Sequence, residues 1–179
     1  TLVFPEPAAL AQLVSSRPHP RVLVPGTTFA DLARLARAGD YSMAYATTLA
    51  QANATLPGAV PRRAIPVAPE LRPTPPAYGT MLSEVLNERR FIETLAYAAH
   101  LEGSSAFRQE AIDRLVGLAA WSPTGSSSQF VPGVDDQLNR EIYLTLAQGF
   151  DLLYLFLTPP QRTAVIAATY VSGSLASPL

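Results

Sequence analysis

The chain has 179 residues, 48% of them hydrophobic and 15% charged, with a mean hydropathy of +0.15. That length is a prior for one domain, the composition excludes a disordered polar tail, and the absence of cysteine excludes a disulfide framework. The 13 basic residues are all Arg, and against 14 acidic residues they leave a formal net charge of −1, so no strong field draws the chain to nucleic acid or to an anionic membrane.

Residues 1–26 begin at Thr1 without a charged and then apolar leader, which reads as a processed or cut start. They hold Pro5, Pro7, Pro18, Pro20 and Pro25 around a short helical possibility at Ala8–Val14 and an extended run at Val22–Val24. Because proline fixes φ and removes a backbone donor, this stretch is an extended N-terminal arm on a larger body. The rest, 27–179, is a helical-hairpin domain. Thr28 with Asp31 three residues on resembles a helix start, Leu32 and Leu35 mark the apolar face, and Gly39 stops it. Asp40 can cap a second helix with Tyr45, Leu49, Ala52 and Leu56 at helical spacing, broken by Pro57 and Gly58.

The proline-rich connector 57–79 carries seven prolines between Pro57 and Pro76, a density that no helix interior or central strand absorbs. Val60, Ile65, Val67, Leu71 and Tyr78 interleave with them, so the connector is expected to lie packed against the body rather than to swing as a linker. Three stronger helices follow. Met81–Leu101 presents Leu82, Val85, Ile92, Leu95 and Ala99 on one face and stops at Gly103. Ser105–Ala120 turns back after Gly-Ser-Ser with Phe107, Ala111, Leu115 and Ala119 inward, which makes an antiparallel hairpin.

A Ser- and Gly-rich loop from Trp121 to Gly133 leads to a third helix, about Val134 to Leu157. Its apolar run from Ile142 to Leu157 is interrupted by Gln148 and Asp151 and is shorter than the ~20 residues of a bilayer span, so it is a core helix. Asp151 in that run needs a hydrogen-bond donor, expected from an Arg or a backbone amide of a neighbouring hairpin. Thr158-Pro159-Pro160-Gln161 supplies a cap, a first-turn proline and a capping-box Gln for a last helix, Pro159 to Tyr170. With no strand ladder and no fixed-period repeat, the class is all-α. Hairpins that bury their inner faces only by stacking on more hairpins suggest the first part of a larger helical array.

Several blocks in this order resemble the N-terminal helical domain of heparinase II/III-like polysaccharide lyases, including the alginate lyases of that superfamily. They are His19-Pro20-Arg21-Val22-Leu23-Val24 with Phe29-Ala30-Asp31-Leu32, and Arg90–Tyr97 with Phe107, Ala111, Leu115 and Ala119. Further on come Trp121-Ser122-Pro123-Thr124-Gly125, Asp135-Asp136 with Arg140, Gly149–Tyr154 and Leu157–Arg162. The likeness covers about residues 19 to 170. Leu152 stands where the family usually has Trp, and Ser122 where it often has Asp. The resemblance implies that the hairpins are part of an (α/α) toroid gripping an acidic polysaccharide, that the partners include the missing toroid helices and β-sandwich domains of the lyase, and that the protein is periplasmic or secreted.

Such lyases act by β-elimination: a base takes the proton next to the uronate carboxylate, and an acid protonates the leaving glycosidic oxygen, with no cofactor or metal required. The carboxylate must be neutralised by an Asn, His or Arg, and a Tyr or His must reach the proton. In the family the Asn–His pair follows the last block quoted, so no catalytic residue is expected within this sequence. His19 lies in the arm, and His100 near a helix C-terminus is expected to interact with the helix dipole. Asp135, Asp136 and Glu141 read as first-turn acids rather than metal ligands, and Ser126–Ser128 lacks the frame of a nucleophile. Candidate substrate-binding residues are Trp121, Gln129, Arg140 and Tyr143, an aromatic platform with an Arg for a sugar face and a uronate carboxylate. The plainer reading buries Trp121 as a core cap and pairs Arg140 with Asp136. The alternative to a lyase wall is a non-enzymatic helical scaffold for a protein or peptide.

Overall fold

A computed structural model of the chain describes residues 18–21, 28–57, 64–74, 76–121 and 137–174. Among the described residues the fold is all-α and contains no strand, as the sequence pattern requires. In chain order the helices are α1 (Phe29–Ala36), α2 (Ser42–Asn53), α3 (Tyr78–Glu102), α4 (Ser105–Ala119), α5 (Gln137–Leu153) and α6 (Pro159–Ser174), with 3-10 turns at Gly39–Tyr41 and Pro69–Leu71. None is long and apolar enough to cross a membrane. Ala8–Val14, Val22–Val24, Val60 and most of the Trp121–Gly133 loop lie outside the described residues.

Local chemistry sets the ends of these helices. Thr28 and Asp31 form a reciprocal capping box, in which Thr28 Oγ1 accepts from the Asp31 amide and the Asp31 carboxylate accepts from the Thr28 amide. The Thr28 hydroxyl also donates to the Asp31 carboxylate at 2.7 Å, and this bond first, with the Thr28 amide second, holds the Asp31 carboxyl below its usual range. Gly39 and Gly103 both take positive φ, 61° and 65°, a conformation that L side chains resist. Gly103 thus ends α3 in the left-handed region, and Ser104 Oγ at once caps α4. The second helix begins at Ser42, later than a cap at Asp40 would place it, because the 3-10 turn takes up Gly39–Tyr41. At the start of α6, Gln161 Oε1 accepts from the Thr158 amide and hydroxyl, both at 2.9 Å.

Helix α3 is the hub, packing against α1, α2, α4 and α5, while α6 covers α4 and α5. Its Met81, Val85, Ile92, Leu95, Ala96 and Ala98 are fully buried and meet Ala111 and Leu115 of α4 and Leu146 and Leu153 of α5 in one core. Gly149 lets α5 approach closely. A Cβ there would lie 2.7 Å from Leu115 Cδ1 and 3.0 Å from Ile92 Cγ2, so a larger side chain would require those buried side chains to shift where the three helices converge.

Along 64–74 the connector lies on the body. Ile65 Cγ2 would be 2.9 Å from a Cβ on Gly117, Ala68 and Pro69 are buried, and Val67 and Leu71 face outward. Arg72 fastens it: its guanidinium donates to Glu84 Oε1 and Oε2 at 3.0 and 2.7 Å, and to the Val67 carbonyl. Tyr78, at the start of α3, accepts through its hydroxyl from the Leu138 amide at 3.2 Å, joining the connector's end to α5.

Candidate functional site

Blocks distant in sequence meet at the C-terminal end of α5. His19, from the arm, stacks on Tyr154 at 3.9 Å between centroids and puts Nδ1 2.5 Å from Asp151 Oδ1. Phe150 meets both His19 and Tyr154 edge-on, and the Arg162 guanidinium of α6 sits 4.1 Å from the Tyr154 centroid. Both His19 and Asp151 side chains are nearly buried, at 11% and 12% exposure, so the pair works where water screens it weakly. The donor that Asp151 required is therefore met by a histidine of the arm.

One layer away, His100 stacks face to face on Phe29, 3.8 Å between centroids and 4° between planes, with Phe156 tilted against it at 4.7 Å. Its Nε2 lies 2.8 Å from the Leu152 carbonyl and donates to it. Burial pushes the imidazole pKa down, and the nearby Arg108 charge adds to the effect, against the opposing pull of that hydrogen bond. His100 sits in the last turn of α3, as expected, and bolts α1, α3 and α5 together, with burial shifting it toward its neutral form. Leu152, at the family's Trp position, is 3% exposed and belongs to the core.

The four residues predicted to bind substrate are placed as follows. Trp121 is 2% exposed, and Arg72 lies over its ring at 5.7 Å, so the indole faces the connector. Its Nε1 has no hydrogen-bond partner among the described residues. Arg140 and Tyr143 are exposed and one turn apart on α5, with Arg140 Nη2 3.5 Å from Glu141 Oε1. Gln129 lies outside the described residues, as do Asp135, Asp136 and Ser126–Ser128. Glu141, grouped with the first-turn acids by sequence, is buried and reaches across to Arg89 of α3 at 3.2 Å, which also holds Glu93 at 3.1 Å.

A buried ionic cluster was missed by the periodicity argument. Arg114 of α4 is wholly buried and bonds Glu88 of α3 through Nη1 at 2.8 and 3.0 Å, while its Nη2 lies 2.9 Å from Glu110. Its guanidinium also sits 5.1 Å from the Phe91 centroid. Burial raises the Glu88 pKa, and the Arg114 charge pulls the other way. The signal was present: Glu88, Ile92 and Leu95 share one α3 face, and Glu110 and Arg114 are spaced i, i+4 on the inner face of α4.

Comparison with protein-family models finds no match, and comparison with curated proteins finds none either.

Proposed function

We propose that the chain is the N-terminal helical portion of a polysaccharide lyase that cleaves a uronate-containing glycan by β-elimination, forming one wall of the groove as part of an (α/α) toroid. The observation that supports this reading is the convergence of its sequence blocks: His19 of the first, Asp151 and Tyr154 of the Gly149–Tyr154 block and Arg162 of the last form one side-chain cluster. Asp151, Tyr154 and Arg162 are near one another in sequence, and His19 is brought to them from 132 positions away. Arg140 and Tyr143, exposed on α5, supply a cation and an aromatic face toward the glycan.

The same side chains do not supply the base. Both histidines stack on aromatic rings and are engaged through a ring nitrogen, and burial together with the charges of Glu93 and Asp151 raises the Tyr97 phenol pKa, which keeps it in the protonated form rather than as a phenolate base. The proposal places the Asn–His pair and the Tyr of the reaction outside these residues. The test assays alginate and heparan-type chains for new unsaturated uronate ends. The 179 residues alone should give none, and the longer encoded polypeptide should give them. Full activity from the 179 residues, or an encoding gene without an Asn–His pair and Tyr downstream, removes the proposal.

A further inference from the structure

Helices α1, α2 and α3 wall a groove of about 560 Å³ that the predicted platform does not use. Tyr41, Ala44, Tyr45 and Thr48 follow one another at helical spacing along α2 and the turn before it, and Tyr97 and Leu101 face them from α3. Ala36 of α1 and Ala44 put only methyl groups into the space between, so the three helices meet there without filling it. An apolar groove left open forfeits the contacts that a filling group would make. Its size and its mainly apolar walls are those of a small-molecule pocket.

The charges beside the groove already satisfy one another. Glu93 borders it and accepts from Arg89 Nε at 3.1 Å. Arg37, 5.9 Å from the Tyr45 centroid, donates to the Leu101 carbonyl at 2.8 Å and to Glu102 Oε1 at 3.0 Å. The Thr48 hydroxyl is spent on the Ala44 carbonyl of its own helix at 2.9 Å. A charged ligand would lose its hydration here and find no counter-charge in exchange, which excludes ions and favours a neutral occupant. Tyr45 differs from these groups, because its hydroxyl is buried without a hydrogen-bond partner among the described residues. A ligand group that reaches it supplies the missing bond. The tyrosine rings at 41, 45 and 97 favour a flat ring, which packs offset or edge-on against them.

We infer that this groove binds an uncharged, mainly apolar ring compound with one hydrogen-bonding group, its ring against the tyrosines and its polar group on the Tyr45 hydroxyl, which a small rotation of that side chain presents. The inference stands apart from the lyase reading: neither the glycan nor the elimination chemistry enters it.

The experiment titrates the full chain with the neutral fluorophore phenyl-naphthylamine and displaces it with naphthalene, β-naphthol and β-naphthoate, which share a ring system and differ in the polar group. β-Naphthol should displace it at the lowest concentration, naphthalene should need about three- to tenfold more, and β-naphthoate should fail. Y45F should bring β-naphthol to the level of naphthalene and leave naphthalene unchanged. A44W, which fills the groove from an exposed position, should weaken fluorophore binding by at least about tenfold. A46W, an equal addition at an exposed position of α2 outside the groove, should leave it unchanged, with circular dichroism reporting that both variants fold. The competitor series needs no variant. Equal displacement by the three compounds, a β-naphthol affinity indifferent to Y45F, equal effects of A44W and A46W, or no fluorophore binding overturns the inference. So does a dimer in sedimentation that A44W dissociates, since a second copy would then be the occupant.

Discussion

His19 and Asp151, 132 residues apart, close an aromatic sandwich in which the imidazole lies on Tyr154 and Arg162 lies over the same tyrosine ring. The contact fastens the arm to the end of α5 through a hydrogen bond and ring stacking together. H19A should therefore cost about 1–3 kcal/mol of unfolding free energy, since it leaves a nearly buried carboxylate without its imidazole partner. In a double-mutant cycle with D151N the two losses should couple by at least about 0.5 kcal/mol in urea unfolding. Strict additivity would mean that the pair contributes nothing to folding.

His100 makes stability depend on pH. Its folded pKa lies below the ordinary 6.5, so between the two values the unfolded chain binds more protons, and stability falls as pH drops below 6.5. H100Q keeps a donor for the Leu152 carbonyl but does not titrate. Thermal unfolding at a series of pH values from neutral down should show a shallower decline for H100Q than for the parent chain, even where its stability at neutral pH is lower.

Arg114 neutralises two carboxylates inside the α3–α4 interface. R114M should destabilise by about 3–5 kcal/mol, because it leaves Glu88 and Glu110 buried without their cation. The Glu88 pKa is already raised above 4.5 by burial and will rise further in R114M, so the folded variant binds the extra proton. Its stability relative to the parent should recover as pH falls toward that value, and chemical unfolding at two pH values reads the sign directly.

Gly149 is where α5 comes nearest to α3 and α4. G149A forces a methyl against Leu115 and Ile92, both fully buried, and should cost about 1–3 kcal/mol despite the better helix propensity of Ala. The paired variant G149A/L115A vacates the colliding methyls and should be less destabilised than the sum of the two single variants.

The sequence specified helix types and most ends, because those depend on neighbours within one turn: Thr28 with Asp31, Gly103 with Ser104, and Thr158 with Gln161 all act where the pattern placed them. It was less informative where a partner comes from a distant segment. Nothing near Asp151 announces His19, nothing near Trp121 announces Arg72, and Glu141 reads as a first-turn acid until α3 brings Arg89 to it. In the connector, Val67 and Leu71 looked like anchors by hydrophobicity, yet Ala68, Pro69 and Arg72 attach it, since a polyproline-like path turns its side chains by geometry rather than by alternation. The α2–α3 groove was also hidden: Tyr45 and Thr94 lie on stripes that each look like ordinary helix faces, and only their apposition makes a cavity.

Trp121 is the chain's single tryptophan, and the Arg72 guanidinium rests over its ring while gripping Glu84 and the Val67 carbonyl. Its emission is therefore a private gauge of connector attachment. If the proline-rich strap peels away while the helices persist, fluorescence will change before circular dichroism does, and the chain carries its own optical probe for that first step of undoing.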